Sequence, residues 1–428
     1  MNDSISPTLR DLTLTSAKIG WLSFGGPAAQ IALMHRIFVE EKKWIDEARF
    51  LHALNYCMLL PGPEAQQLAT YVGWLLRGTR GGIIAGLLFV LPGALVVFVL
   101  SWIYAAHGSA PLVAGAFYGV RAAVLAFVVE AMIRISKRAL KGRADLLTAL
   151  AAFIALTIFA MPFPLIIIAA AAIGATGVGL GESAARVANS RPGWRRDTFA
   201  TLALWGGVWA APLLLSLAAF GPDHVVTRVG VFFSKLAVVT FGGAYALLGY
   251  LRQQAVDNEG WLTAAQMIDG LGLAETTPGP LVLVNQFVGF MGGFQTEGGG
   301  LLIAALAAAM ASWCTFAPSF LWIFAGAPYA ERLRENRRAT GALRAITAAV
   351  LGVIGSLAFW FAVNVLFTEI STAMTPWGTP LGLPLIGSFD PTAFLIAAAA
   401  GVALVRFHAN AALVALCALA AGLMMAIF

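Results

Sequence analysis

Glycine and proline interrupt four apolar segments of the chain at points where a helix would otherwise continue. The interruptions are Phe24-Gly25-Gly26-Pro27, Pro61-Gly62-Pro63, Phe241-Gly242-Gly243-Ala244 and Pro278-Gly279-Pro280. Their free peptide groups must face protein or water, because lipid offers them no partner. Since proline favours the first position of a helix, Pro27, Pro63 and Pro280 predict half-helices whose N–H groups point into the interruptions. We therefore predict that these glycines and prolines bind an oxyanion.

Three basic side chains lie inside apolar segments and are further candidates for anion binding. Lys18 and Lys235 each precede a Phe-Gly-Gly sequence by six residues, and Arg121 interrupts a long apolar run. Placing a charge in a membrane costs on the order of several kcal/mol, so such residues are functional candidates by default. The structural alternative is that the lysines extend to a membrane interface and that Arg121 pairs with Glu130.

Polar side chains flank the two Pro-Gly-Pro sequences, and their types suit a tetrahedral dianion. Amides and hydroxyls donate hydrogen bonds, whereas an ionised carboxylate only accepts them. We therefore assign substrate binding to Gln66, Gln67, Thr276, Thr277, Asn285 and Gln286. Glu64 and Glu275 are instead candidates for proton coupling. The alternative is that each glutamate forms a salt bridge with a nearby cation.

The composition identifies a membrane protein. Of 428 residues, 60% are hydrophobic and 11% are charged, whereas a soluble chain has about a quarter of its residues charged. This composition excludes intrinsic disorder, and the wide spacing of Cys57, Cys314 and Cys417 excludes a disulfide scaffold. Uncharged runs such as Thr198 to Pro222 and Gly298 to Ala330 exceed the roughly 20 residues of a membrane-spanning helix and lack strand alternation.

Basic residues cluster in three loops, at 134–143, 186–196 and 332–344, which the positive-inside rule places in the cytoplasm. Threading helices between these loops predicts nine spans, near 81–105, 112–133, 146–160, 164–181, 198–219, 300–327, 345–367, 391–406 and 409–427. The interrupted segments before residue 78 either span the membrane or re-enter it. The long loop Glu369 to Asp390 should face outward. No cleaved signal peptide is expected at Met1 to Leu14.

The two halves of the chain repeat each other. At a displacement of 217 residues, Lys18 aligns with Lys235, and each interruption of the first half aligns with one of the second. The predicted span at 81–105 runs outward, while its counterpart at 300–327 runs inward, so the repeats have inverted topology. Inverted repeats are an architecture of secondary transporters, in which one part rocks against another to alternate access to a central site. The alternative is a duplicated structural bundle without a transport role.

We therefore predict an all-α polytopic membrane protein built from two inverted-topology repeats with broken helices. The N-terminal repeat, with an extra helical hairpin, occupies residues 1–182. A cytoplasmic linker and a connecting transmembrane helix occupy residues 183–228. The C-terminal repeat, with two extra helices, occupies residues 229–428.

Two long motifs resemble the signatures of the chromate ion transporter family. In the first half they are Phe24-Gly25-Gly26-Pro27-Ala28-Ala29-Gln30, Trp44 and Leu59-Leu60-Pro61-Gly62-Pro63-Glu64-Ala65-Gln66-Gln67. In the second half they are Thr240-Phe241-Gly242-Gly243-Ala244-Tyr245, Leu271-Gly272-Leu273-Ala274-Glu275-Thr276-Thr277-Pro278-Gly279-Pro280 and Asn285-Gln286-Phe287-Val288-Gly289. Because both halves match, the chain resembles the long-chain, two-domain branch of this family.

This resemblance implies export of chromate from the cytoplasm, with sulfate as an isosteric competitor, and hence chromate resistance. We expect a secondary active transporter, of the antiporter type, that works by alternating access in the bacterial inner membrane with the proton motive force. The expected partners are chromate, sulfate, protons and lipid, but not nucleic acid, and a homodimer stays open. Neither a cofactor nor a metal site is expected, because the histidines and cysteines lack ligand spacing. The alternatives are an anion channel, a sulfate transporter and, less favoured, a membrane-embedded phosphatase.

Overall fold

The computed structural model describes residues 7–108, 110–176, 196–241, 244–327, 337–375 and 380–427. The first eight helices in this part of the chain are α1 (Leu9–Leu22), α2 (Gly26–His35), α3 (Glu47–Cys57), α4 (Glu64–His107), α5 (Pro111–Ala139), α6 (Arg143–Thr157), α7 (Phe163–Ala175) and α8 (Arg196–Phe220). The next eight are α9 (Val225–Val239), α10 (Ala244–Arg252), α11 (Ala264–Thr276), α12 (Val284–Gln295), α13 (Leu301–Gly326), α14 (Arg337–Leu366), α15 (Pro391–Val405) and α16 (Ala411–Ile427).

Five helices in the described ranges are long and apolar enough to cross a membrane, which confirms the prediction of an all-α polytopic protein. They are Glu64–His107, Pro111–Ala139, Thr198–Phe220, Leu301–Gly326 and Thr340–Leu366. Shorter apolar helices of 10–17 residues are Phe163–Ala175, Leu281–Gln295, Pro391–Val405 and Ala411–Ile427. Uncharged stretches near 20 residues therefore located most of these helices from the sequence.

Helix α4 is longer than one membrane span because it joins two segments across a bend. Arg77 (φ −141°) and Gly78 (φ 61°, ψ −159°) leave the helical conformation. Only glycine readily adopts the second of these conformations. The bend separates the interrupted segment that ends near residue 77 from the predicted span that begins near residue 81.

Prolines begin helices at two interruptions and a tighter turn at a third. At Pro27 and Pro63 the predicted starts are confirmed, because α2 and α4 begin within a residue of them. After Pro280 the chain first makes a 3-10 turn, Leu281–Leu283, and becomes α-helical only at Val284. Pro280 is itself extended (ψ 139°), and its carbonyl accepts the turn's closing hydrogen bond at 2.9 Å.

The loop between α14 and α15 contains the strands of a small hairpin, which the sequence analysis gave only as a long loop. Strand β1 (Ile370–Met374) pairs antiparallel with β2 (Pro380–Pro384). A 3-10 turn, Ile386–Ser388, follows. Each strand has five residues and the second contains two prolines and a glycine, so the usual sequence signals of a strand are weak here.

The chain divides into two compact units, each with parts of both repeats. The first unit comprises Met1–Ala105, Val187–Ala244 and Leu273–Arg332, and the second comprises Ala106–Arg186, Tyr245–Gly272 and Leu333–Phe428. These units follow packing, whereas the predicted division at residues 182 and 228 follows the duplication in the sequence. That division stays a prediction about how the chain is built from its repeats.

Glycines bring helix backbones together inside each unit. In the first unit, a Cβ on Gly289 of α12 would lie 2.7 Å from the carbonyl oxygen of Ala307 in α13. In the second unit, a Cβ on Gly119 of α5 would collide with the carbonyl of Ala418 in α16. These close approaches make α12 with α13, and α5 with α16, tightly packed pairs.

A π-helical turn recurs at equivalent positions of the two halves. Arg36–Glu41 follows α2, and Gln253–Asn258 follows α10 at the repeat displacement of 217 residues. The N–H after each turn donates to the carbonyl five residues earlier, at 2.9 Å in the first half and 2.8 Å in the second. The duplication inferred from the sequence is therefore visible in the backbone.

Candidate functional site

The interruptions of the two repeats cross and hydrogen-bond to each other in the first unit. The Gly62 N–H donates to the carbonyl of Thr240 at 2.9 Å, and the Gly279 N–H donates to the carbonyl of Ser23 at 2.8 Å. Gly62 and Gly279 are equivalent in the repeat, and so are Ser23 and Thr240. Such reciprocal contacts are what a local two-fold axis between two copies of a motif produces.

Only glycine fits comfortably at the centres of the two Pro-Gly-Pro sequences. Gly62 has φ 111° and Gly279 has φ 94°, both in the region that side chains rarely adopt. A Cβ on Gly62 would lie 3.0 Å from Gln67 Nε2, and a Cβ on Gly279 would lie 2.9 Å from Leu283 Cδ1. Gly93 of α4 is a further close contact, because a Cβ there would collide with the carbonyl of Pro278.

Amide side chains bind the backbone around the crossing. Gln30 Nε2 donates to the carbonyl of Gly279 at 2.8 Å, and Gln67 Nε2 donates to the carbonyl of Pro61 at 2.7 Å. Gln286 Nε2 donates to the carbonyl of Ala94 at 2.9 Å. Gln30 belongs to the first of the sequence motifs, and no role was predicted for it. Its repeat counterpart is Leu247. The alignment of a polar residue with an apolar one is the sequence signal that could have identified Gln30 as a candidate.

Several buried polar atoms near the crossing have no hydrogen-bond partner among the described residues. Both amide atoms of Gln66 belong to this group. The others are the side-chain oxygens of Gln30, Gln67, Asn285, Gln286 and Ser319. Buried polar groups are normally paired, and unpaired ones mark a place for water, an ion or a ligand. The crossing therefore has the chemistry of a polar binding site inside an apolar unit.

The acidic and hydroxyl residues predicted here also lie in the first unit. Glu275 is buried at the end of α11, and Glu64 is half-buried at the start of α4. The hydroxyls of Thr276 and Thr277 donate to the carbonyls of Leu273 and Ala274, at 3.0 and 3.4 Å. Asn285 Nδ2 donates to the hydroxyl of Thr315 at 3.0 Å. Gly242 and Gly243, which were predicted to bind substrate, lie outside the described residues.

The basic residues of the first unit lie on its exposed surface wherever the structure describes their side chains. Lys18 is exposed on α1, and Lys235 is exposed at the equivalent position of α9. The others are Arg10, Arg36, Lys42, Lys43, Arg49, Arg77, Arg80 and Arg228. The groups that surround the crossed interruptions are therefore neutral amides, hydroxyls and peptide groups, together with the two glutamates.

Arg121 lies in the second unit and is held by a carboxylate that the sequence analysis missed. Its Nε and Nη2 donate to the two oxygens of Asp269 on α11, at 2.5 and 2.7 Å. The Asp269 side chain is fully buried. Glu130, the partner considered from the sequence, lies 3.5 Å from Arg134 instead. Asp269 was detectable, because it is a carboxylate within an apolar segment.

A second arginine pair lies at the basic end of α14. Arg344 contacts Asp145 through two hydrogen bonds, of 3.0 and 2.7 Å. Burial alone would raise the pKa of Asp145, but the hydrogen bonds from Arg344 and from the Lys141 N–H outweigh it, so this pKa lies below its usual value. In both pairs the guanidinium donates two hydrogen bonds to one carboxylate, a geometry that fixes the two helices relative to each other.

Comparisons with known proteins agree on one family. The sequence model described as chromate transporter matches residues 10–175 and 227–424. A chromate transport protein of Pseudomonas aeruginosa is 34% identical over 352 residues, 79% of this chain and 77% of that protein. A chromate transport protein of Cupriavidus metallidurans is 31% identical over 356 residues, 81% of each chain.

A more distant relative extends the match beyond bacteria. An uncharacterized transporter of Methanocaldococcus jannaschii is 26% identical over 363 residues, 84% of this chain and 86% of that protein. No solved structure matches the chain. The two regions that match the family contain all four interruptions and both π-helical turns. With both repeats covered and the crossing of their interruptions described, the chain belongs to the chromate transporter family.

Proposed function

We propose that the chain exports chromate across the bacterial inner membrane by alternating access, as a secondary active transporter that uses the proton motive force, and so confers chromate resistance. Two relatives that cover most of its length are named chromate transport proteins. The observation that carries the proposal is the crossing of Gly62 with Thr240 and of Gly279 with Ser23, beside the buried amide of Gln66, which has no partner among the described residues.

The crossing suits an oxyanion because, among the described residues, it offers neutral donors and no cation. Gln66 brings an amide with no partner among the described residues, and the half-helices that start near Pro27 and Pro63 direct backbone N–H groups toward the interruptions. Neutral donors replace the hydration shell of a dianion, and release then requires no ion pair to break. Binding that is favourable but weak enough to reverse is what transport needs. Sulfate has the same shape and charge, so we propose it as the competitor.

The proposed coupling groups are Glu64 and Glu275. Protonation changes the charge and the hydrogen-bonding capacity of a carboxyl group beside the anion, so titration of these groups would couple proton movement to anion binding and release. The membrane potential, negative inside, drives each negative charge outward by about 2.3 kcal/mol per 100 mV. Glu64→Gln and Glu275→Gln should each reduce the pH dependence of transport. Unchanged pH dependence in both variants would contradict the coupling role.

Accumulation of chromate in everted membrane vesicles tests the proposal, because the cytoplasmic face of the protein is then outside and export becomes uptake. We expect uptake against a gradient that collapses with a proton ionophore and is inhibited by sulfate. Vesicles without the protein are the control. Movement only down a gradient would favour an anion channel. No chromate movement, with sulfate uptake instead, would favour a sulfate transporter.

A further inference from the structure

A cavity of about 530 Å³ lies in the second unit, at the carboxyl ends of α6 and α14 and against the β1–β2 hairpin. This volume lies within the range of small-molecule binding sites. Its polar lining includes Arg252, Asp257 and Asn258 around the π-helical turn, with Thr157 and Asn364 on the neighbouring helices. None of these residues belongs to the crossed interruptions.

Arg252 has hydrogen-bond donors to spare in this cavity. Its side chain is 17% exposed and, among the described residues, makes one ion-pair contact, from Nη2 to Asp257 Oδ2 at 3.0 Å. The guanidinium also lies over the ring of Trp360, 5.3 Å from its centroid. A guanidinium carries five N–H donors. Whereas Arg121 and Arg344 each donate twice to one carboxylate, Arg252 is fixed by a single contact and an aromatic face.

The repeat explains why Arg252 is incompletely paired. Its counterpart in the first half is His35, which contacts Glu40 at 3.1 Å and Glu47 at 2.6 Å. A π-helical turn brings residues five apart onto one face, so Glu40 corresponds to Asp257 in both position and contact. The counterpart of Glu47 is Ala264, which has no carboxylate. The second half therefore has an arginine in place of the histidine and one acidic partner in place of two.

We propose that the Arg252 cavity binds a tetrahedral oxyanion of the chromate and sulfate class, as a second site separate from the crossed interruptions. Arg252 supplies charge-assisted hydrogen bonds, the second N–H of the Asn258 amide, whose first donates to Gln254 Oε1, adds a neutral donor, and Trp360 keeps the guanidinium oriented. Asp257 competes with the anion for Arg252. Helices α6 and α14 begin at basic loops, so under the proposed orientation the cavity opens outward and receives the exported anion. This last step rests on the proposed function, whereas anion binding itself does not.

Calorimetric titration of the full chain in detergent micelles with chromate, and separately with sulfate, tests the second site. We expect two binding events in the unmodified protein. Arg252→Gln should weaken one of them by roughly tenfold or more, because a charge-assisted hydrogen bond is lost. Asp257→Asn should strengthen the same event several-fold, because the competing charge is removed. Arg252→Lys, which keeps the charge, should bind with intermediate affinity.

The opposite signs separate a binding role from a structural one. If Arg252 and Asp257 only stabilise the fold, both neutral variants lower the unfolding temperature and neither strengthens binding, which would overturn the proposal. Arg344→Gln, which breaks another arginine pair, is the matched control and should keep both events. Vesicle uptake by the same variants distinguishes the two proposals. If vesicles take up chromate but calorimetry shows a single binding event whose affinity is unchanged in Arg252→Gln, the second site alone is overturned. If calorimetry shows two binding events but vesicles take up no chromate, the proposed export alone is overturned.

Discussion

The two compact units differ in the kind of polar group that they bury. In the first unit the groups near the crossed interruptions are mainly neutral amides such as Gln66 and Asn285, and the described basic residues are exposed. In the second unit, arginines are paired with carboxylates, as in Arg121 with Asp269. Of the three basic side chains that the sequence assigns to an anion site, Arg121 already has a carboxylate partner, and Lys18 and Lys235 are exposed.

From this difference we propose that the anion site of this protein is formed by neutral donors. An arginine bound through two donors holds its partner in place and costs several kcal/mol to separate. Amides and peptide N–H groups bind an anion and release it at lower cost. We therefore assign transport to the neutral crossing and scaffolding mainly to the paired arginines, and four predictions test this assignment.

The largest effect should come from the glycines of the crossing. Gly62→Ala and Gly279→Ala force a side chain into positive φ, which costs on the order of 1–3 kcal/mol of strain and displaces the reciprocal hydrogen bonds. We expect chromate uptake by vesicles to be abolished in both. Gly206→Ala in α8 is the control, because a Cβ there meets no atom within 4 Å. Normal uptake in Gly279→Ala would remove the crossing from the mechanism.

Next in size is the loss of the Arg121–Asp269 pair. Arg121→Leu leaves Asp269 buried without its guanidinium, and breaking such a pair costs about 3–5 kcal/mol. We expect a lower folded yield by size-exclusion chromatography. The double variant Arg121→Leu with Asp269→Leu should recover that yield. Because the pair is assigned to scaffolding, the double variant should also recover chromate uptake. Poor uptake by a folded double variant would instead support the sequence prediction that Arg121 binds the anion.

A smaller, selective effect should follow from Gln66→Leu. Leucine occupies the equivalent position of the second repeat, residue 283. The substitution removes an amide that has no partner among the described residues. Replacing an unpaired buried polar group by an apolar one is neutral or stabilising. We expect an unchanged or higher unfolding temperature with uptake reduced roughly 10- to 100-fold, since a donor to the anion is worth about 1–3 kcal/mol.

Stability and transport must therefore change in different directions in this variant. Leu68→Ala, at a fully buried apolar position of the same helix, is the matched control, because it should lower the unfolding temperature through a cavity. If Gln66→Leu lowers the unfolding temperature and reduces uptake only in proportion to that decrease, Gln66 is a packing residue.

How much of the fold and of the candidate site the sequence predicts depends on how far apart in the chain the interacting residues lie. The interruptions at Gly25, Gly62 and Gly279, the duplication and most of the apolar spans are local or periodic features, and they appear in the described part of the structure. The crossing of Gly62 with Thr240 is a contact between distant segments, and periodicity says nothing about such partners. Asp269 stands out in the sequence as a carboxylate in an apolar segment, but its pairing with Arg121, 148 residues away, could not be predicted for the same reason.

Glycines illustrate the same limit. From the sequence, Gly86 is an ordinary glycine of a membrane span and would serve as a harmless control for Gly62. In the structure, a Cβ on Gly86 would lie 2.8 Å from Phe320 and would also collide with the hydroxyl of Thr70. The sequence distinguishes a glycine beside proline from one within a helix, but it cannot identify the neighbour that a side chain would meet.

The smallest effect should come from Lys18 and Lys235. Both are exposed at equivalent positions of the two repeats, so they act on the anion through long-range attraction and not through the contacts of the crossing. Lys18→Gln and Lys235→Gln should each lower the initial rate of chromate uptake a few-fold at low ionic strength. At high ionic strength the difference should vanish, because salt screens charges more than about 10 Å apart at 0.1 M. A loss of uptake that persists at high salt would instead place that lysine in contact with the bound anion, and the neutral crossing would no longer suffice as the binding site.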